Sequence, residues 1–104
     1  MATTTRVLAR TAAATSSTVL YTVPSATTTV VSNIAVTNTA GSAGTFTLGM
    51  GTAGSNTSLH TTTAVAANST VYIDLKQVLA TTNTITGLAS ATTINFHISG
   101  VEIS

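Results

Sequence analysis

Ile94-Asn95-Phe96-His97-Ile98-Ser99-Gly100-Val101-Glu102-Ile103 is the stretch that decides the fold. Ile94, Phe96 and Ile98 alternate with Asn95, His97 and Ser99, the period of two that marks a strand with one buried face. After Gly100 the phase slips, and Val101 and Ile103 bracket Glu102. A one-residue slip at a glycine predicts a β-bulge, with the strand bending near Gly100 and keeping Val101 and Ile103 on the apolar side.

The same period recurs upstream. Thr45 to Met50 alternates cleanly, with Phe46, Leu48 and Met50 inward. Thr18 to Val23 places Val19, Tyr21 and Val23 on one face, and Pro24 ends it. From Val30 to Asn38, Ile34 and Val36 share a side with Ser32 and Asn38. Leu59 to Val65 is a weaker strand of mostly threonine, and Val71, Ile73 and Leu75 point one way from a further strand. Gln77 to Thr82 reads as a connection with room for one helical turn, and Thr84 to Leu88 as a short strand. About seven short strands separated by turn signals, with no amphipathic helix, predict an all-β antiparallel β-sandwich, Ig-like or jelly-roll-like.

Composition narrows the function. At 104 residues the chain is one domain by length, large enough to bury a core without metals or disulfides. It has no cysteine, so thiol chemistry is excluded. Charged residues make up 5% of it, against about 25% in ordinary globular domains, and serine and threonine take their place. A polar but nearly uncharged surface offers little repulsion between copies and suits a subunit held in an assembly. The three basic residues, Arg6, Arg10 and Lys76, are too few for phosphate neutralisation, so nucleic acid is not expected as a partner. No apolar run approaches a membrane span, and no membrane role is expected.

Residues 1–17 differ from the rest. They are low in complexity, hold Arg6 and Arg10, and contain one isolated apolar pair, Val7-Leu8. They read as an extended N-terminal arm preceding a sandwich over residues 18–104, disordered alone and ordered on a partner. Arg6, Val7, Leu8 and Arg10 are its candidate partner-binding residues. A short uncapped helix from Val7 to Ala14 is the competing reading.

Candidate chemical sites are weak. Gly49-Met50-Gly51-Thr52-Ala53-Gly54 matches G-x-G-x-x-G, with Asp74 downstream, but the phosphate mechanism needs a helix after the glycines. Ser-Asn-Thr-Ser-Leu-His follows instead, so the stretch reads as a hairpin loop. His60, Asp74 and a serine could form a triad by inventory, yet no nucleophile context surrounds any serine. His60 and His97 lack metal-ligand spacing, and His97 belongs to the outer face of its strand. Asn56-Thr57-Ser58 and Asn68-Ser69-Thr70 match the glycosylation acceptor, as chance permits in so Ser/Thr-rich a chain. No catalytic residue, cofactor or metal is expected.

One resemblance adds to this reading. Val19-Leu20-Tyr21-Thr22-Val23-Pro24, then Val30-Val31-Ser32-Asn33-Ile34-Ala35-Val36-Thr37-Asn38, then a strand like Gly44 to Leu48, resembles the opening of small bacteriophage virion proteins. Asn95 to Ile103 is similar to their closing strand, and Pro24-Ser25-Ala26-Thr27 departs from the Pro-Ala-Gly common among them. The resemblance implies a β-sandwich on the outside of a virion. A capsid decoration (cement) protein is the leading expectation, with the major capsid protein and copies of itself, as a homotrimer, for partners. The basic arm would then clamp neighbouring capsid subunits and stabilise the lattice. A tail or fibre component is the alternative. A glycan-binding module is third, since it needs exposed aromatics and the chain has only Tyr21 and Tyr72 besides its two Phe.

Overall fold

The computed structural model describes residues 2–52 and 55–104. Its elements are β1 (Thr3–Ala12), β2 (Thr18–Thr22), β3 (Thr28–Asn38), β4 (Gly44–Thr52), β5 (Thr57–Val65), β6 (Ser69–Leu79), β7 (Asn83–Ala89) and β8 (Ile94–Ile103). They form two four-stranded sheets, β1-β8-β3-β6 and β2-β7-β4-β5, antiparallel throughout.

The pairing has a simple logic. β1 pairs with β8, β2 with β7, β3 with β6 and β4 with β5, so the chain runs as one long hairpin. Successive pairs alternate between the two sheets, and the β3–β8 and β4–β7 ladders close the roll. This is the eight-stranded jelly roll. The all-β sandwich expected from sequence is the fold formed, in its jelly-roll rather than its Ig-like variant.

Alternation builds the core as expected. Phe46, Leu48 and Met50 from β4 face Ile34 and Val36 from β3 and Ile94, Phe96 and Ile98 from β8. Phe46 and Phe96 meet edge-on across the two sheets, centroids 6.2 Å apart at 72°, the geometry their ring quadrupoles prefer. At one end of the sandwich the buried Asn38 amide donates to the Ser42 carbonyl at 2.8 Å, and its oxygen accepts from the Ala40 N–H at 3.0 Å.

Several sequence expectations need correction. Residues 1–17 do not stand free: Thr3–Ala12 is β1, an edge strand paired along its length with β8. The helix considered over Val7 to Ala14 is likewise replaced by this strand. β6 continues through Gln77 to Leu79, where a connection was expected. Leu79 keeps the inward phase of Val71, Ile73 and Leu75 and Val78 stays on the outside, while the register shift between Val31 and Asn33 changes the phase of β3. In β2 an irregularity falls between Val19 and Tyr21. Val19 is therefore 55% exposed rather than sharing a buried face with Val23.

The bulge expected at Gly100 lies in the neighbouring strands instead. The β1 register shifts between Val7 and Ala9, opposite Ile98-Ser99, and the β3 register between Val31 and Asn33, opposite Ser99-Gly100. Leu8 and Ser32 are thus the extra residues. β8 itself keeps strict alternation, so Gly100 and Glu102 stay inward while Val101 and Ile103 turn outward. A central strand is tied on both sides, and the extra residue is taken up by its partners.

Candidate functional site

The edge formed by β1 and β8 gathers the chain's polar chemistry. Of β1's residues only Leu8 is buried, and Ala9 is half-buried. The strand is held by its main-chain ladder, by Leu8, and by Arg6. Leu8 reaches Gly100, where a Cβ would lie 2.9 Å from Leu8 Cδ1 and 2.3 Å from the Val30 carbonyl oxygen. The missing side chain at Gly100 is what admits the Leu8 knob. Burying that leucine contributes about 1.5–3 kcal/mol.

Beside this knob lies a polar cluster that joins four strands. Glu102 of β8 is 9% exposed, and its Oε1 lies 2.9 Å from Arg6 Nη1 of β1. Its Oε2 accepts the hydroxyl proton of Tyr21 from β2. With that proton committed, the Thr29 hydroxyl of β3 donates to Tyr21 Oη at 2.9 Å. Burial, followed by the hydrogen bond to Glu102, holds the Tyr21 phenol above its usual 10.0: a phenolate here would lose hydration beside a carboxylate. Both oxygens of the one buried acid are satisfied, as a buried carboxylate requires.

The four candidate arm residues separate in the structure. Arg6 joins this cluster, Leu8 fills the notch, Val7 is 50% exposed, and Arg10 is exposed with His97 as its register partner. Reading the sequence missed Glu102, Tyr21 and Thr29 as a group. The available signal was an acid at an inward position on the otherwise apolar face of its strand, hidden by the phase slip assigned to Gly100.

The other sequence candidates do not converge. His60 packs its ring on Phe46, 5.6 Å between centroids, in the second sheet, whereas His97 lies on the exposed face of the first. Among the described residues no three His, Cys, Asp or Glu side chains group to hold a metal. The glycine motif ends in Ala53 and Gly54, outside the described residues; Gly49 to Thr52 belong to strand β4. Asn56 is turned toward Thr84 and Thr86, and Asn68 sits in a turn at φ 53°.

Two further surfaces remain. A groove of about 440 Å3 crosses the outer face of the second sheet, lined by Val19, Thr47, Gly49, Asn56, Thr86 and Leu88 among others. It has no aromatic or charged lining. On the outer face of the first sheet, register aligns Tyr72, Ala35, His97 and Arg10 in one row, and Val78, Val30, Val101 and Thr5 in another. Tyr72 is 73% exposed there.

No protein-family model and no curated protein matches this sequence. Solved structures do match in fold. A chain from Bacillus endospore appendages, described as a novel family of disulfide-linked pili, superposes with a TM-score of 0.60 at 15% identity, over 99% of this chain and 87% of that one. Chains from infectious bursal disease virus, one of the Gx strain and one from a crystalline viral particle, each superpose with a TM-score of 0.57 at 12% and 8% identity. Each viral match covers 97% of this chain but only 30% of the viral chain. At such identities the likeness shows the jelly-roll fold and nothing finer.

Proposed function

We propose that this chain is a non-enzymatic structural subunit of a bacteriophage virion, a decoration protein that binds the outer capsid surface and stabilises the lattice. The observation that carries the reading is a complete eight-stranded jelly roll whose surface is hydroxyl-rich and nearly uncharged. Such a surface offers little resistance to association between copies and suits a fixed lattice. The resemblance of the β2, β3 and β8 sequences to phage virion proteins agrees with it, as does the fold shared with chains of a virus particle. The outer face of the first sheet offers the contact: Tyr72 and Val78 stand exposed on it with Arg10 at its far edge. Aromatic and arginine side chains are the usual anchors of protein interfaces.

A tail or fibre component is the second reading. It is favoured by the pilus chain, which this chain matches over 87% of that subunit's length. With no cysteine, this chain cannot form the disulfide links that name those pili. Gold-labelled antibody against the chain, applied to intact particles in the electron microscope, separates the two. Label on heads supports decoration, and label confined to tails assigns the chain to the fibre.

A further inference from the structure

The N-terminal strand combines a long ladder with very little burial. Eight of the ten residues of β1 are exposed, and its side-chain anchorage is one knob, Leu8, and one ion pair, Arg6 to Glu102. A main-chain ladder for affinity, with one pocket and one charge for register, is the equipment of a strand that adds to a sheet edge from outside. The notch at Gly100 and the carboxylate of Glu102 belong to β8, so they remain in place to receive a strand when β1 leaves.

The connection to β2 fits the same picture. Ala13 donates its N–H to the Ile94 carbonyl at 2.7 Å, and Ala14 accepts from the Ala89 N–H at 2.9 Å. Residues 2–14 are therefore one docked unit. Thr15, Ser16 and Ser17 follow, all exposed, before β2 begins. Three extended residues reach about 10 Å. That is enough to pass the strand to an abutting copy, and too little for a distant one.

We propose that β1 is exchanged between copies of this chain in its assembled form, the β1 strand of one copy lying on the β8 edge of the next. The occupant is fixed by identity: the β8 edge already accepts this segment along its whole length, and every copy carries the same segment. Few charges oppose the close approach of copies that exchange requires. The inference concerns the chain alone and stands whether or not its particle is a virion.

The absence of cysteine makes a clean test. Ala2 and Ser104 exchange both main-chain hydrogen bonds, at 2.5 and 2.8 Å. By alternation Thr5 and Val101, three residues along, form a non-hydrogen-bonded pair, with Cα atoms about 4.5 Å apart, within disulfide range. Thr5→Cys is made in one chain and Val101→Cys in another, and the two are mixed, concentrated, refolded together and oxidised. Exchange predicts hetero-linked dimers in excess over either homo-linked pair, with the two substituted peptides joined in the mass spectrum. The proposal is overturned if the mixture yields no such excess while a double variant, Thr5→Cys with Val101→Cys in one chain, closes its disulfide internally in every molecule. No particle is needed, so failure here is distinct from failure of the virion reading.

Discussion

Arg6 and Glu102 stand 96 positions apart in sequence and 2.9 Å apart in space, joining the first strand to the last. The pair is uneven: the Arg6 side chain is 54% exposed and Glu102 only 11%. Replacing Arg6 with Ala therefore leaves the buried partner with Tyr21 alone, whereas Glu102→Gln leaves a guanidinium that water can solvate. Because solvent screens the exposed half of the pair, Glu102→Gln should cost about 1 kcal/mol. Arg6→Ala should cost more, about 2 kcal/mol. Both variants should speed amide exchange in β1 more than in β3, which hydrogen-exchange mass spectrometry reads directly. Uniform acceleration across the sandwich would refute a local clasp.

Tyr21 makes stability depend on alkaline pH. Its folded pKa lies above the usual 10.0, so the folded state holds the phenol proton more tightly than the unfolded state does. The stabilisation is complete below pH 10 and is lost as pH rises through the folded pKa. Thermal melts from pH 8 to 12 should fall more steeply for the parent than for Tyr21→Phe. A Tyr72→Phe background leaves Tyr21 as the only tyrosine, and its ultraviolet titration should then rise later than that of free tyrosine.

Two glycines should respond oppositely to alanine. At Gly100 a Cβ would press to 2.3 Å from the Val30 carbonyl oxygen, which is backbone and cannot yield cheaply. Gly100→Ala should cost about 1–3 kcal/mol or more by overpacking and should loosen β1 by evicting Leu8. Gly41 has open space around its Cβ position and no positive φ, so Gly41→Ala should be neutral or stabilise by about 0.4–1 kcal/mol through the unfolded chain. Urea denaturation of the two variants compares them.

Phe96 is fully buried against Phe46, and Phe96→Ala should lose about 3–5 kcal/mol. A loss near zero would mean that β8 has the opposite phase. That phase was legible in the sequence because Ile94, Phe96 and Ile98 alternate without a break, and β4 reads as clearly for the same reason. What could not be read was where the partner strands carry an extra residue. Leu8, Leu20 and Ser32 are ordinary residues at their irregular positions and carry no local mark. Each changes the phase of its own strand, which is why Val19 is exposed, while β8, carrying no extra residue, keeps Glu102 inward by unbroken alternation. β1 was unreadable for another reason. It buries almost nothing, so no alternation marks it, and it is a strand because β8 offers it a ladder. The jelly roll followed only from long-range pairing, which periodicity does not encode.

Tyr72 separates binding from folding. It is 73% exposed on the outer face of the first sheet, so Tyr72→Ala should change stability by no more than about 0.5 kcal/mol. If that face meets the particle, the same change should weaken attachment by more than about 1 kcal/mol. Unchanged attachment would move the contact to another surface.

The most direct test is co-sedimentation of the purified chain with particles assembled from the major capsid protein alone. A decoration protein should bind saturably, at a fixed number of copies per capsid subunit. A chain that remains in the supernatant with capsids, and pellets instead with isolated tails, would contradict the capsid assignment.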